Sequence, residues 1–304
     1  GRLTVSTPTE FSIYLDKAKD YDMVGRFDHS EWRNTLLLTA DDAKNGTHID
    51  YTGHAALQEG VSRSIDSLAK VLNYHWNQKK VYLLDYSEDA AGQKKGATED
   101  LLNVLNQGAL ITTYFGHGSK TDWAGEGLMK PSYLSRVQNQ GRYTILSSFS
   151  CIVGRFEEGE KRSLSEEFLL AKSAGSIASV GAARETFATN NEHFGRNFVF
   201  SLLSNDGITV GEAFMRAKNM DARQMTSIGN TKSYRQRYNN EQYVLFGEPV
   251  TPMLSNAFKV SLDQKIDTLK ALDKVKISGS VAGMDNGTIE FSVRESRKTK
   301  NLFM

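Results

Sequence analysis

Residues 106–119 read Asn-Gln-Gly-Ala-Leu-Ile-Thr-Thr-Tyr-Phe-Gly-His-Gly-Ser. The stretch Ala109 to Phe115 is apolar and rich in β-formers, is preceded by a helical pattern over Thr98 to Asn106, and ends on a histidine flanked by glycines. Such a run reads as a strand buried on both faces, with a loop at its carboxyl end. The same unit recurs on both sides. Upstream, Asn34 to Thr39 reads as a short apolar strand, Leu57, Val61, Ile65, Leu68 and Leu72 repeat at helical spacing, and Lys80 to Asp85 reads as a second strand. Downstream come a helix opened by Pro131, a strand over Tyr143 to Ser148, a helix over Ser163 to Lys172 and a small-residue strand over Gly175 to Val180. Helices over Pro8 to Asp20, Glu192 to Leu203 and Val210 to Ala222 complete the pattern. Buried strands alternating with helices predict an α/β fold, a mostly parallel sheet flanked by helices with right-handed crossovers.

The texture changes beyond Pro249 and Pro252, which divides the chain into 1–253 and 254–304. Lys274 to Ser280 and Thr288 to Val293 alternate like strands, joined through Asp285-Asn286-Gly287, so the second part reads as the start of a β-sandwich-like domain. Composition excludes other classes. The 304 residues carry 37 Lys plus Arg against 36 Asp plus Glu, a net charge of +1, without the basic excess of a nucleic-acid binder. No stretch reaches the roughly 18 apolar residues of a membrane span. A single cysteine, Cys151, excludes an intramolecular disulfide.

In an open α/β sheet, ligands bind outside the carboxyl ends of the strands. Those positions carry Asp41 and Asp42 after the first strand, Gly116-His117-Gly118-Ser119 after the third, and Ser150-Cys151 after the fourth. The only cysteine and one of six histidines therefore leave neighbouring strands at one edge. Parallel strands ~4.8 Å apart bring such tips within side-chain reach, and a thiol needs a base beside it to attack as thiolate. Cys151 is the candidate nucleophile and His117 the candidate base. The Gly118 and Cys151 amides are candidate oxyanion donors, and Asp41 or Asp42 is the acid expected to orient the imidazole. No metal is expected: His48, Asp50 and His54 fit no zinc spacing, and Asp41, Asp42, Asn45 and Asp50 fit no calcium-loop pattern.

Tyr114-Phe115-Gly116-His117-Gly118-Ser119, Trp123, and Ser150-Cys151 with Gly154 and Phe156 beyond resemble the gingipain family of cysteine peptidases. Trp32-Arg33-Asn34 through Ala40-Asp41-Asp42 and Leu245-Phe246-Gly247-Glu248-Pro249 extend the likeness, with Glu248 where the family usually carries Asp. The resemblance implies a caspase-like fold followed by a partial immunoglobulin-like domain, with His117 and Cys151 as a catalytic dyad working through an acyl-enzyme. Asp50 and Trp123 are the candidate substrate-binding residues. Asn106 to Gly118 and Asp267 to Leu272 before Ile277-Ser278-Gly279 are similar to the PorU-type, sortase-like branch that serves type IX secretion in Bacteroidetes. That branch implies secreted protein substrates with a C-terminal sorting domain, removal of that domain with transfer to water or to a surface glycolipid amine, and other secretion components as partners. It also implies an extracytoplasmic place at the outer membrane or cell surface. On this reading the sequence starts inside a catalytic domain, without a leader, and stops inside a β domain. No cofactor is implied, and calcium enters only as a weak candidate for a structural ion. The rival readings are a secreted gingipain-like protease and a catalytically silent docking module on the same scaffold.

Overall fold

A computed structural model describes residues 1–27, 30–42, 44–45, 48–49, 53–72, 74–204, 207–225, 237–255, 259–263 and 274–282. The chain forms two compact units, Gly1–Ala257 and Phe258–Met304. The first contains a six-stranded sheet. Its strands are β1 (Thr35–Ala40), β4 (Asn77–Tyr82), β5 (Ile111–Phe115), β6 (Thr144–Phe149), β7 (Ser176–Ala182) and β8 (Tyr243–Phe246), in spatial order β4-β1-β5-β6-β7-β8. A two-stranded hairpin, β2 (Lys44–Asn45) with β3 (His48–Ile49), lies between β1 and β4 in sequence. All neighbours in the large sheet are parallel except β7 with β8. The order makes β1 the starting strand, β4 its neighbour on one side and β5 its neighbour on the other. The direction of winding therefore reverses between β1 and β5, which opens a crevice at their carboxyl ends.

The helices are α1 (Pro8–Phe27), α2 (His54–Leu72), α3 (Lys95–Gln107), α4 (Leu164–Leu170), α5 (Ala188–Leu203) and α6 (Val210–Met225). Side chains alternate across each strand, so neighbouring residues join different cores. Leu36, Leu38, Ile111, Phe115, Ile145 and Phe149 pack in one cluster with Val61 and Ile65 of α2 and Phe194 and Phe198 of α5. Leu37, Tyr114 and Leu146 point to the other face, with Leu101 and Leu105 of α3, Trp123 and Phe168 of α4. β1, β5, β6 and β7 are buried on both faces, which is why they read as uncharged, mostly apolar runs.

The expected fold class is the one observed, and most expected elements fall within a few residues of the real ones. Two differ in kind. The segment opened by Pro131 is a 3-10 helix, Pro131–Arg136. β8 is an antiparallel edge strand that four residues of sequence could not announce. In the second unit, β9 (Lys259–Leu262) pairs antiparallel with β10 (Gly279–Ala282). Here β9 was not expected, β10 starts near the end of the strand predicted over 274–280, and the strand predicted over 288–293 lies outside the described residues. The described residues of this unit give that hairpin, and an immunoglobulin-like domain is not among what they show. Among the described residues no helix is long and apolar enough to cross a membrane.

Leu146 is fully buried in the middle of β6. Leu146→Ala is expected to lower unfolding free energy by about 2–5 kcal/mol, through lost transfer energy and the cavity left behind. Denaturant titration checks this as a lower midpoint at unchanged slope.

Candidate active site

β6 ends at Phe149, and the chain then turns sharply through Ser150-Cys151-Ile152-Val153. The Val153 N–H donates to the Cys151 carbonyl at 2.7 Å, closing a three-residue turn about Ile152, whose φ is +47°. A β-branched residue rarely adopts that left-handed conformation, so the turn stores strain and must be held from outside. The end of β7, the loop after it and the start of α4 supply the hold. The Ile152 N–H donates to the Arg184 carbonyl at 3.2 Å, the Gly154 N–H to the Ala182 carbonyl at 2.9 Å, and the Ser165 N–H to the Val153 carbonyl at 3.1 Å. Gly154 lies so near β7 that a Cβ there would meet the Gly181 carbonyl at 2.8 Å. The turn leaves the Cys151 thiol half-buried, with Sγ 3.3 Å from the donating N–H of Thr186 and 3.6 Å from the Thr186 carbonyl.

His117 stands two residues beyond Phe115, which pairs with Phe149 in register, and Cys151 stands two residues beyond Phe149. The equivalent offset puts both at one end of adjacent parallel strands. Gly118 closes the gap between their loops. A Cβ at Gly118 would lie 2.8 Å from Ser150 Oγ and Val153 Cγ1 and 3.0 Å from the Cys151 carbonyl oxygen, so only glycine lets the loops approach this closely. The Ser119 N–H donates to the Asp122 carbonyl and the Ala124 N–H to the His117 carbonyl. Among the described residues, the Gly118 and Cys151 N–H groups have no main-chain acceptor. Two such donors beside a thiol are what an oxyanion would use.

Asp41 supports the histidine loop from below. Its Oδ2 accepts the His117 main-chain N–H at 2.9 Å, its Oδ1 accepts the Asp42 N–H at 2.9 Å, and the Tyr114 hydroxyl donates to the His117 carbonyl at 2.6 Å. Asp41 is fully buried, and that burial pushes its carboxyl up to about 7 against the two N–H groups that pull it down. Asp42 is paired with Lys94, whose ammonium lies 2.5 Å from Oδ2 and also donates to the Leu83 carbonyl. The carboxylates of Asp41, Asp42 and Glu126 approach within 4.8 Å of one another. They form an oxygen-only set of the kind hard cations take, but the Lys94 ammonium already neutralises one member. His54, the buried first residue of α2, sets its ring edge-on to that of His117, with centroids 5.1 Å apart at 83°.

The family profile described as peptidase family C25 matches residues 1–254. The chain belongs to peptidase family C25. Among solved structures, it superposes on gingipain R (RgpB), an Arg-specific cysteine proteinase, with a TM-score of 0.62 at 14% identity, covering 86% of this chain and 57% of that one. A complex of the pro- and mature domains of RgpB from Porphyromonas gingivalis gives a TM-score of 0.55 at 13% identity over 85% of this chain and 57% of that one. A structure described as a protease gives 0.63 at 16% identity over 91% and 60%. The chain thus spans a little under two thirds of the length of these relatives. No curated protein sequence is significantly similar to it.

The C25 fold brings His117, Cys151 and Gly118 together at one edge, as the residue order predicts. The contacts described for Asp41 hold the main chain of His117, and those of Asp42 hold Lys94 and α3. Trp123 corrects the expectation of a substrate-binding residue. It is fully buried, stacked on Tyr114 at 4.6 Å, with its indole N–H donated to Ser148, so it belongs to the core under the histidine loop and no substrate reaches it. Asp50 lies outside the described residues. Thr186 and His54 were not foreseen. Their signal was positional, since both stand where the chain leaves or re-enters the carboxyl edge of the sheet, after β7 and at the start of the first long helix following β1.

Two outcomes test this geometry. Gly118→Ala is expected to abolish Cys151 reactivity while circular dichroism stays native, because the added methyl forces the two loops apart. A carboxyl raised from 3.8 to about 7 holds its proton more tightly folded than unfolded, so the contribution of Asp41 to stability falls as pH rises across that interval. The stability difference between wild type and Asp41→Asn, read by denaturant titration from pH 4 to about 8, is expected to fall over that range and then level off.

Proposed function

We propose that this C25 chain is a cysteine endopeptidase. The observation that carries the proposal is the contact of the Gly118 loop with the Cys151 loop at equivalent positions on adjacent strands. The Cys151 thiolate attacks the substrate carbonyl carbon, and the carbonyl oxygen becomes an oxyanion facing the Gly118 and Cys151 N–H groups. His117, protonated when the thiol ionises, gives its proton to the departing amine as the carbon–nitrogen bond breaks, which leaves an acyl-enzyme on Cys151. A water or an amine, deprotonated by His117, then attacks the acyl carbon and expels the thiolate.

For the substrate, we propose secreted proteins carrying a C-terminal sorting domain, met outside the cytoplasm at the outer membrane or cell surface with other secretion components. This rests on the sequence likeness of residues 106–118 and 267–279 to the PorU-type branch. A gingipain-like protease and a silent docking scaffold are the alternatives. The alkylation rate of Cys151 against pH decides the chemistry. A reactive population well below pH 8 that disappears in His117→Ala supports the dyad, and a slow thiol indifferent to His117 overturns it. Cys151→Ala is expected to lower peptide-bond cleavage by at least about a thousandfold with the fold unchanged. Cleavage of a protein bearing a sorting domain, in preference to short peptides, supports the sortase-like role. Efficient hydrolysis of short peptides points to a broad protease.

A further inference from the structure

We infer that Asn191 and Asn239, buried and remote in sequence from both strand tips, are positioning residues that set the reactivity of Cys151 through the main chain of Thr186. The inference rests on Cys151 being the nucleophile. The contacts begin at the sulfur. The Thr186 N–H donates to Sγ at 3.3 Å, the Thr186 carbonyl lies at 3.6 Å and its hydroxyl at 3.9 Å, so one residue covers one side of the thiol. The nearer N–H directed at sulfur favours the thiolate, against the carbonyl that accepts from the thiol and favours the protonated form, so the balance depends on how Thr186 is held.

A side-chain amide holds the next peptide, which shares the Thr186 α-carbon with the one that donates to sulfur. Asn239 Oδ1 accepts the Phe187 N–H at 2.9 Å, and its Nδ2 donates to the Phe187 carbonyl at 3.0 Å. The Asn239 amide thereby pairs with Phe187 as a neighbouring strand would, fixing the peptide that follows Thr186. The same Nδ2 donates to Asn191 Oδ1 at 2.7 Å. Asn191 in turn donates from Nδ2 to Thr186 Oγ1 at 3.0 Å and to the Phe149 carbonyl at 3.3 Å, and its Oδ1 also accepts the Tyr243 hydroxyl at 2.8 Å. Both lone pairs and both N–H groups of Asn191 are therefore used. Phe149 is the last residue of β6, two before Cys151, so Asn191 ties the strand that delivers the nucleophile directly to the residue that covers its sulfur. Asn239 is fully buried and Asn191 and Tyr243 nearly so.

A polar network this deep costs desolvation unless every member is satisfied. Apolar residues of similar volume would support the fold at least as cheaply, so the network is better explained by the atom it serves. Among the described residues, the titratable and charged groups on the elements next to Cys151 are His117 beyond β5, Tyr243 on β8, Arg184 and Glu185 after β7, and Arg155, Glu157 and Glu158 on its own loop. Arg155 and Glu185 pair with each other at 3.5 Å. Burial holds the Tyr243 phenol far above its ordinary range, so it stays a donor to Asn191. Asn→Asp at either position adds a carboxyl of its own, whereas Tyr243→Phe adds no charge and isolates the effect of the clamp.

The experiment is the pH profile of Cys151 alkylation by iodoacetamide in wild type, His117→Ala, Asn239→Asp, Asn191→Asp and Tyr243→Phe, with kcat and KM for peptide cleavage. Asn239→Asp keeps the acceptor for Phe187 N–H and loses both donated bonds. The expected result is an upward shift of the profile by about one pH unit in Asn239→Asp and Asn191→Asp, the size of one charge-assisted hydrogen bond. A smaller shift is expected in Tyr243→Phe, with kcat falling about tenfold or more and KM little changed. Profiles that coincide with wild type overturn the inference. If either Asp variant fails to fold, Tyr243→Phe decides alone, since it removes one hydroxyl and keeps the ring stacked on Phe194. A wild-type profile indifferent to His117→Ala overturns the nucleophile assignment itself, and the inference with it. A profile sensitive to His117 but not to the amides overturns the inference alone.

Discussion

The absence of a side chain at Gly118 is the constraint on which the site depends. Strand pairing alone brings two tips to within one strand spacing, but the loops that leave those tips diverge unless something lets them touch. At Gly118 a methyl would collide with Ser150, Val153 and the Cys151 carbonyl at once. The contact therefore makes the histidine loop and the nucleophile turn one structural unit, so the relation between His117 and Cys151 follows from the main chain.

That unit is supported from both sides, by different physics. On the nucleophile side, the strained Ile152 turn is stabilised by carbonyls at the end of β7. The same strand end leads directly into Thr186, which covers the sulfur. On the histidine side, support comes from buried carboxyl groups. Asp41 gives both its oxygens to main-chain N–H groups, and Asp42 and Lys94 form a buried pair that joins the end of β1 to the start of α3. Such pairs recover little more than their desolvation cost, so their effect is to fix geometry. Both supports lie at the crevice between β1 and β5 and its extension to β7, where the winding of the sheet leaves its carboxyl ends uncovered.

Much of this was legible in one dimension. Ala109 to Phe115 and Tyr143 to Ser148 announce themselves as strands because they are buried on both faces and so carry no charged residue. The residues just past them then nominate His117 and Cys151, because an open α/β sheet binds ligands at that edge whatever the packing details. β8 was missed because a four-residue strand carries too little pattern to tell from a turn of helix. Trp123 was misread because a tryptophan next to a catalytic loop looks alike in sequence whether it faces solvent or stacks beneath the loop on Tyr114.

The sequence by itself determined the order of the main parallel strands and helices, and placed one thiol and one imidazole at the carboxyl edge of the sheet. These depend on local periodicity and on chain order, which a linear text preserves. Only the tertiary structure decided what each carboxylate touches, that His54 lies against His117, and that Asn191, Asn239 and Tyr243 converge behind Thr186. Those relations join residues up to 76 positions apart, as between Asp41 and His117. They are set by how helices pack on the sheet, which no local pattern encodes.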